Sequence, residues 1–334
     1  MARDMSPLAM WSQYIAARTA VMGITCLDVR TNLHLAAAAG RGLFQVATKH
    51  RKRAIEHLRQ AFPEWSDAQL ESTARQSFEY FAQLAIEVAY LPRLVHAGTV
   101  GTHCKIVDSD DGLALMNRRE PTILVSGHFG NWEAPGLLFT AAGYKVSAVV
   151  RPLDNRLLNR WLLQQRERRG MRVIEKWADP LGHIASALAQ RRAVGIIADQ
   201  NAGDRGLFVP FFGRLASTHK SVALLAIKRN APIMCGFGRR MGDDLFYEIK
   251  AIDVIHPADW RNHPDPQFYV TARFVRAIEM MAQQYPGHYL WMHRRWKSRP
   301  WWERKGKPVP DAVKRRLASL PWLDSTQLGQ LIGD

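Results

Sequence analysis

Ser126-Gly127-His128-Phe129-Gly130-Asn131-Trp132-Glu133 sets an imidazole and a carboxylate five residues apart, around Gly127 and Gly130. On a continuous helix, positions five apart point about 140° away from one another, so this pair cannot act from one helix face. The glycines let His128 sit in a turn while Glu133 occupies the first turn of a following helix. From there the carboxylate could accept a hydrogen bond from one ring nitrogen, fixing the tautomer and leaving the other nitrogen as a general base. Backbone N–H groups at the helix start could hold an oxyanion. The alternative is that His128 only caps the helix and Glu133 only complements its N-terminal dipole. Spacing alone does not choose between the two.

Three further blocks carry candidate chemistry. Asp199-Gln200-Asn201-Ala202-Gly203 follows an apolar run at 193–198, and the stretch 206–213 is almost wholly apolar, either a loop folded on the core or a wall that receives a hydrocarbon chain. Residues 289–300, YLWMHRRWKSRP, form a strand-like run ending in a basic and aromatic cluster, with an exposed charged face as the alternative. Arg151 directly follows the apolar run 145–150, which places it at the same sheet edge as His128. It reads either as a fork for a phosphate or phosphopantetheine, or as a solvated charge.

These residues need a scaffold, and the pattern supplies an α/β one. Short apolar runs at 122–126, 145–150, 172–174, 193–198 and 232–237 alternate with helical segments. That pattern predicts βαβ units and a mostly parallel sheet flanked by helices. His128 then follows a strand and opens a helix, at the carboxyl end where open α/β sheets place their sites. The segment 154–169 puts Leu157, Leu158, Trp161 and Leu162 on one face and Arg156, Arg160, Arg166 and Arg168 elsewhere. Residues 14–91 read as helical, with the stripe Leu70, Ala74, Phe78, Phe81, Ala85 and Val88, an N-cap at Ser66 and a stop at Pro92. The expected division is a helical, membrane-associating region at 1–100 packed on an α/β domain at 101–310, then a tail at 311–334.

Composition narrows the partners. The 334 residues carry a net charge of +16 and are 47% hydrophobic, which excludes a disordered or collagen-like chain and points to an anionic partner. Cys26, Cys104 and Cys235 have no metal-ligand spacing, and no metal or other cofactor is expected. No apolar run reaches the roughly 18 residues of a membrane span. Interfacial contact is expected instead from the cluster Lys49, His50, Arg51, Lys52 and Arg53, whose alternative is a solvated helix end, and from Trp291, Trp296, Trp301, Trp302 and Trp322.

The blocks SGHFGNWE, RPLDN at 151–155, ADQNAGDRGLFVPFFGRLAST at 198–218 and YLWMHRRWKSRP, with HLRQAFPEWSDAQL at 57–70, resemble the lipid A biosynthesis (lauroyl/myristoyl-type) acyltransferases of the lysophospholipid acyltransferase superfamily. The resemblance covers roughly residues 14–300. It implies transfer of a fatty acyl chain from acyl carrier protein or acyl-CoA to a hydroxyl of a lipid A-type precursor, an anionic glycolipid, at the cytoplasmic face of the inner membrane and without a metal. The His of the family's H-x4-D/E motif is the base and the acid supports it, which falls on His128 and Glu133. Arg151, Asn155, Asp199, Gln200, Arg294 and Arg299 are the substrate-binding candidates.

The N-terminal apolar stretch is interrupted by Arg18, Asp28, Arg30 and His34, so peripheral attachment to the anionic surface stands beside a single N-terminal anchor. Acylation of another membrane lipid (lysophospholipid, glycerol phosphate or glycolipid) is the nearest alternative, and those enzymes tend to have Asp where this chain has Glu133. A basic nucleic-acid-binding protein would explain the charge but not a His and Glu at a strand-to-helix turn, so no nucleic acid is expected.

Overall fold

A computed structural model describes residues 5–167, 170–175 and 179–333. Four helices come first: α1 (Pro7–Ile24), α2 (Val29–Val46), α3 (Thr48–Ala61) and α4 (Asp67–Leu94). An alternating region follows, with β1 (Cys104–Val107), α5 (Asp110–Asn117), β2 (Ile123–Ser126), α6 (Ala134–Ala141), β3 (Val146–Val150), α7 (Arg156–Glu167), β4 (Arg172–Glu175), α8 (Pro180–Ala189) and β5 (Ala193–Ile197). A hairpin of β6 (Leu207–Phe211) and β7 (Arg214–Thr218) leads to α9 (Ser221–Arg229), β8 (Ile233–Arg240) and β9 (Tyr247–Ile255). The chain ends with α10 (Pro257–Arg261), α11 (Pro266–Gln284), α12 (Trp301–Arg304), α13 (Asp311–Ala318) and α14 (Ser325–Ile332).

Seven strands form one sheet in the order β1-β9-β8-β2-β5-β3-β4, parallel at every pairing except β8 with β9. Alternate residues of a strand face opposite sides, and β2 displays this directly. Ile123 and Val125 join a core built with α8, α9 and α11, whereas Leu124 packs into a second core with α5 and α6. Each fully buried Leu, Ile or Phe in these cores contributes about 1.5–3 kcal/mol of transfer free energy, so helices on both faces hold the strand ends in place. Helix α4 bridges the two cores, Leu70, Ala74 and Phe78 lying in the first and Ile86, Tyr90 and Leu91 in the second. The α/β architecture with N-terminal helices packed on the sheet is as the sequence pattern implies.

Several local expectations change. The apolar stretch 206–213 is not a loop but most of an antiparallel hairpin whose Val209, Phe211, Leu215 and Ala216 are buried. The strand-like run at 289 contributes a single bridge, Phe129 to Tyr289, before breaking into turns. Strands β1 and β9 were not foreseen. Helix α4 continues through Pro92 to Leu94, because a proline in the last turn removes little of the hydrogen-bond ladder. Its buried stripe passes from Phe78 to Leu84, Glu87 and Leu91, leaving Ala85 exposed. Ser66 does cap this helix, in a capping box with Gln69. Helix α7 matches the expected segment to Glu167, and Arg168 lies outside the described residues.

The tryptophan expectation is overturned as well. Trp291, Trp296 and Trp302 are core residues and Trp322 is half-buried, so of the five only Trp301 is largely exposed. Of the basic cluster, Lys49, His50 and Lys52 are exposed, whereas Arg53 donates to the Met292 carbonyl at 3.0 Å and Arg51 lies over the Phe44 ring. Among the described residues, no helix is long and apolar enough to cross a membrane.

Candidate active site

Strands β2 and β5 are parallel neighbours, and their register pairs Ser126 with Ile197. Two residues beyond each partner stand His128 and Asp199, brought together by that register although 71 residues apart in sequence. Asp199 is almost wholly buried and receives the His128 Nδ1 at 2.7 Å on Oδ1 and the His128 backbone N–H at 2.9 Å on Oδ2. An ionised carboxylate only accepts, so Nδ1 carries the proton and Nε2 is left with its lone pair. Burial of the imidazole lowers its pKa, but the Asp199 charge and hydrogen bond outweigh this and hold it above the ordinary 6.5. The Asp199 carboxyl, which burial alone would raise, is held well below the usual carboxylate range by the charge and hydrogen bond of His128.

The turn bearing His128 is fixed from several sides. Its carbonyl accepts from the Leu290 N–H at 2.9 Å, the Gly130 N–H donates to His288 O at 2.9 Å and the Asn131 N–H to Gly238 O at 2.8 Å. Gly130 has φ +58°, and a Cβ there would lie 2.3 Å from the Gly238 carbonyl oxygen, so only glycine lets the turn press onto β8. His293 stands behind the pair, its Nε2 3.2 Å from the Asp199 carbonyl oxygen and its ring centroid 5.7 Å from that of His128. Trp132 meets the His128 ring edge-on at 5.2 Å.

Glu133 does not support His128, contrary to the sequence expectation. Its carboxylate grips the Arg166 guanidinium by two bonds, Nε to Oε2 at 2.9 Å and NH2 to Oε1 at 2.7 Å. The Glu133 and Ala134 N–H groups are not open to an oxyanion either, since the Asn131 side-chain oxygen accepts both at 3.0 Å. The physical reason is the neighbouring strand: Asp199 reaches the ring from β5, while Glu133, starting α6, points to α7.

A cavity of about 680 Å³ opens beside His128. Leu113, Leu124, Phe139, Ala148, Met171 and Met234 give it an apolar wall, while Arg151, Arg166, Glu133, Gln200 and His219 line it with polar groups. Of the two readings of the 206–213 stretch, the hydrocarbon wall does not hold for this cavity, whose lining it does not join, and its Val209 and Phe211 lie in the core. Of the substrate-binding candidates, exposed Arg151 and Gln200 line the cavity, and Arg294 is exposed without lining it.

The other three serve the protein itself. Asp199 orients His128. Asn155 is buried, caps α7 by accepting from the Leu157 N–H at 3.0 Å and ties down α1 by donating to Met10 O at 2.9 Å. Arg299 pairs with Glu303 and donates to the Leu215 carbonyl. Arg166, His293, Asn131 and His219 were not singled out as site residues in the sequence, although Asn131, Arg166 and His293 lay in segments that were. Among the described residues, no group of three or more His, Cys, Asp or Glu could hold a metal ion.

Comparison with known proteins identifies the family. The family model described as bacterial lipid A biosynthesis acyltransferase matches residues 3–298. The chain is 25% identical over 211 residues to a phosphatidylinositol mannoside acyltransferase of Mycolicibacterium smegmatis, covering 56% of this chain and 69% of that protein. It is 24% identical over 285 residues to the lipid A biosynthesis lauroyltransferase of Escherichia coli, covering 84% of this chain and 90% of that protein. A lipid A biosynthesis acyltransferase of Haemophilus influenzae is 28% identical over 187 residues, 55% of this chain and 58% of that protein.

Proposed function

The chain belongs to the bacterial lipid A biosynthesis acyltransferase family, and on that premise we propose that it moves a fatty acyl chain from a thioester, on acyl carrier protein or coenzyme A, to a hydroxyl of a lipid A-type glycolipid. The observation that carries this reading is the His128–Asp199 pair at the rim of an apolar cavity. Nε2 of His128 takes the proton of the acceptor hydroxyl as its oxygen attacks the thioester carbonyl. The C–S bond then breaks, and the imidazolium returns the proton to the leaving thiolate. Asp199 holds the tautomer and stabilises the imidazolium that forms between these steps. The cavity holds the acyl chain, and Arg151, with Arg166 fixed by Glu133, meets the phosphates of the acceptor or of the donor's pantetheine arm.

The acceptor is a membrane lipid, so the enzyme works at an anionic membrane surface. The tryptophans buried in the core cannot supply the contact, and α1 replaces them in this role. It buries no residue, exposes Leu8, Trp11, Ile15 and Met22, and contains no acidic residue. Its neighbour α7 exposes Arg156 and Arg160. Apolar side chains at headgroup depth flanked by cations favour peripheral binding to anionic lipid.

The reading is tested with His128→Ala in a transfer assay from acyl carrier protein thioester to a lipid A precursor. Turnover should fall by at least about 10²-fold, the usual scale for a lost general base. Near-normal turnover in a variant with an unchanged circular dichroism spectrum would overturn it.

A further inference from the structure

Helix α4 belongs to the N-terminal region, yet it places a fully buried carboxylate against the turn that carries His128. Glu87 accepts from the Asn131 side-chain amide at 2.8 Å, from the Tyr247 hydroxyl at 2.8 Å and from Arg240 Nε at 2.9 Å. Arg240 is itself buried, and its NH2 donates to Gln83 Oε1 at 2.6 Å. The carboxylate therefore has three donors, one of them a guanidinium that balances its charge, the condition under which a buried ion pair is sustained. None of Glu87, Asn131, Tyr247, Arg240 and Gln83 lines the cavity.

Its effect passes through Asn131. An amide has an oxygen end and an NH2 end, and a carboxylate partner accepts only from NH2. Glu87 thus sets which way the Asn131 amide faces, which turns its oxygen toward the Glu133 and Ala134 N–H groups, both at 3.0 Å. With the Asn131 N–H on Gly238 O at 2.8 Å, this pins the downstream end of the His128 turn, as Asp199 pins its upstream end. We propose that Glu87, acting through Asn131, is a positioning residue for His128, so that the N-terminal helices form part of the catalytic apparatus. This rests on the reading of His128 as the base.

The test follows His128 directly, by the pH titration of its ring nitrogens in full-length protein labelled with ¹⁵N-histidine, alongside kcat and KM. The groups that otherwise face this ring are Asp199, His293 and Trp132, and none is altered. Glu87→Leu combined with Arg240→Met removes both buried charges together, so that neither is stranded. Asn131→Ala leaves the Glu87–Arg240 pair intact and guards against misfolding of the double variant. In either, the His128 midpoint should drop toward 6.5 as its bond to Asp199 loosens, and kcat should fall on the order of 10²-fold, the scale of a misplaced catalytic group, with little change in KM.

Glu87→Gln, which still offers an oxygen to Asn131, should keep more of both properties than the double variant. A folded Asn131→Ala or double variant with an unmoved midpoint and unchanged kcat would overturn the proposal. If the midpoint moves while His128→Ala proves active, the positioning stands and the base assignment fails.

Discussion

Two carboxylates flank the same turn, and they work in opposite directions. Asp199, beyond the end of β5, is buried and spends both oxygens on His128. Glu133, opening α6, is part-exposed and spends both on Arg166. One faces the ring and orients the proposed base; the other faces the cavity and fixes a cation. Adjacency in sequence favours Glu133 as the ring's partner, but strand register delivers Asp199. The difference shows that an H-x4-E spacing can mark a site without stating which acid the histidine uses.

The largest expected effect separates the two acids. Asp199→Asn should lower kcat by about 10²–10⁴-fold, because an amide can present its NH2 to Nδ1 and stabilise the wrong tautomer. Steady-state kinetics on protein of unchanged Tm checks this, and a loss no greater than that of Glu133→Gln would erase the contrast. The pH profile sharpens it. With His128 as the proposed base, transfer requires its neutral form, so wild-type activity should rise with pH along a limb centred above 6.5. In Asp199→Asn the burial that lowers the His128 pKa remains while the raising charge is gone, so the limb should move to lower pH. Glu133→Gln should leave it in place.

Glu133→Gln itself should cost roughly tenfold or less in kcat/KM, chiefly by freeing Arg166, and isothermal titration with an anionic lipid headgroup would register the weaker binding. The smallest effect belongs to Arg151→Lys, which keeps the charge and loses the two-pronged geometry. The Michaelis constant of one anionic substrate should rise several-fold with kcat nearly intact, and constants identical to wild type would return Arg151 to the solvated-charge reading.

The ladder of parallel strands was readable because β2, β3, β5 and the first half of β8 are short, mainly apolar runs, the mark of strands buried on both faces. β9 escaped because Glu248, Lys250 and Asp253 interrupt its apolar residues, and β1 because Cys104–Val107 is four residues long. The hairpin escaped because Pro210 breaks the strand pattern of β6 and the turn at Phe212–Gly213 lacks the usual polar signal. At the site, His128 and the edge position of Arg151 were legible locally. The role of Asp199 was not, since it depends on which strands are neighbours. Asn155 and Arg299 matched a motif, yet their hydrogen bonds are used inside the fold. Glu87 carried a weak signal, a lone carboxylate spaced three and four residues from Leu84 and Leu91 on the buried face of α4.

The cage around His128 also has an order in time. The segment after α11 reaches back across most of the chain: Ser77 Oγ donates to Tyr289 O from 212 residues away, His57 meets Trp291 O from 234, and Arg53 meets Met292 O from 239. At a synthesis rate of about 5–20 residues per second, roughly ten seconds or more pass between the making of α3 and α4 and the arrival of their partners. Until then the turn at His128 lacks Leu290 against its carbonyl, and Asp199 lacks His293 behind it. A ribosome-bound chain halted before residue 289 therefore carries both His128 and Asp199 without their clamp, and the cage closes only once residues 289–293 have been made.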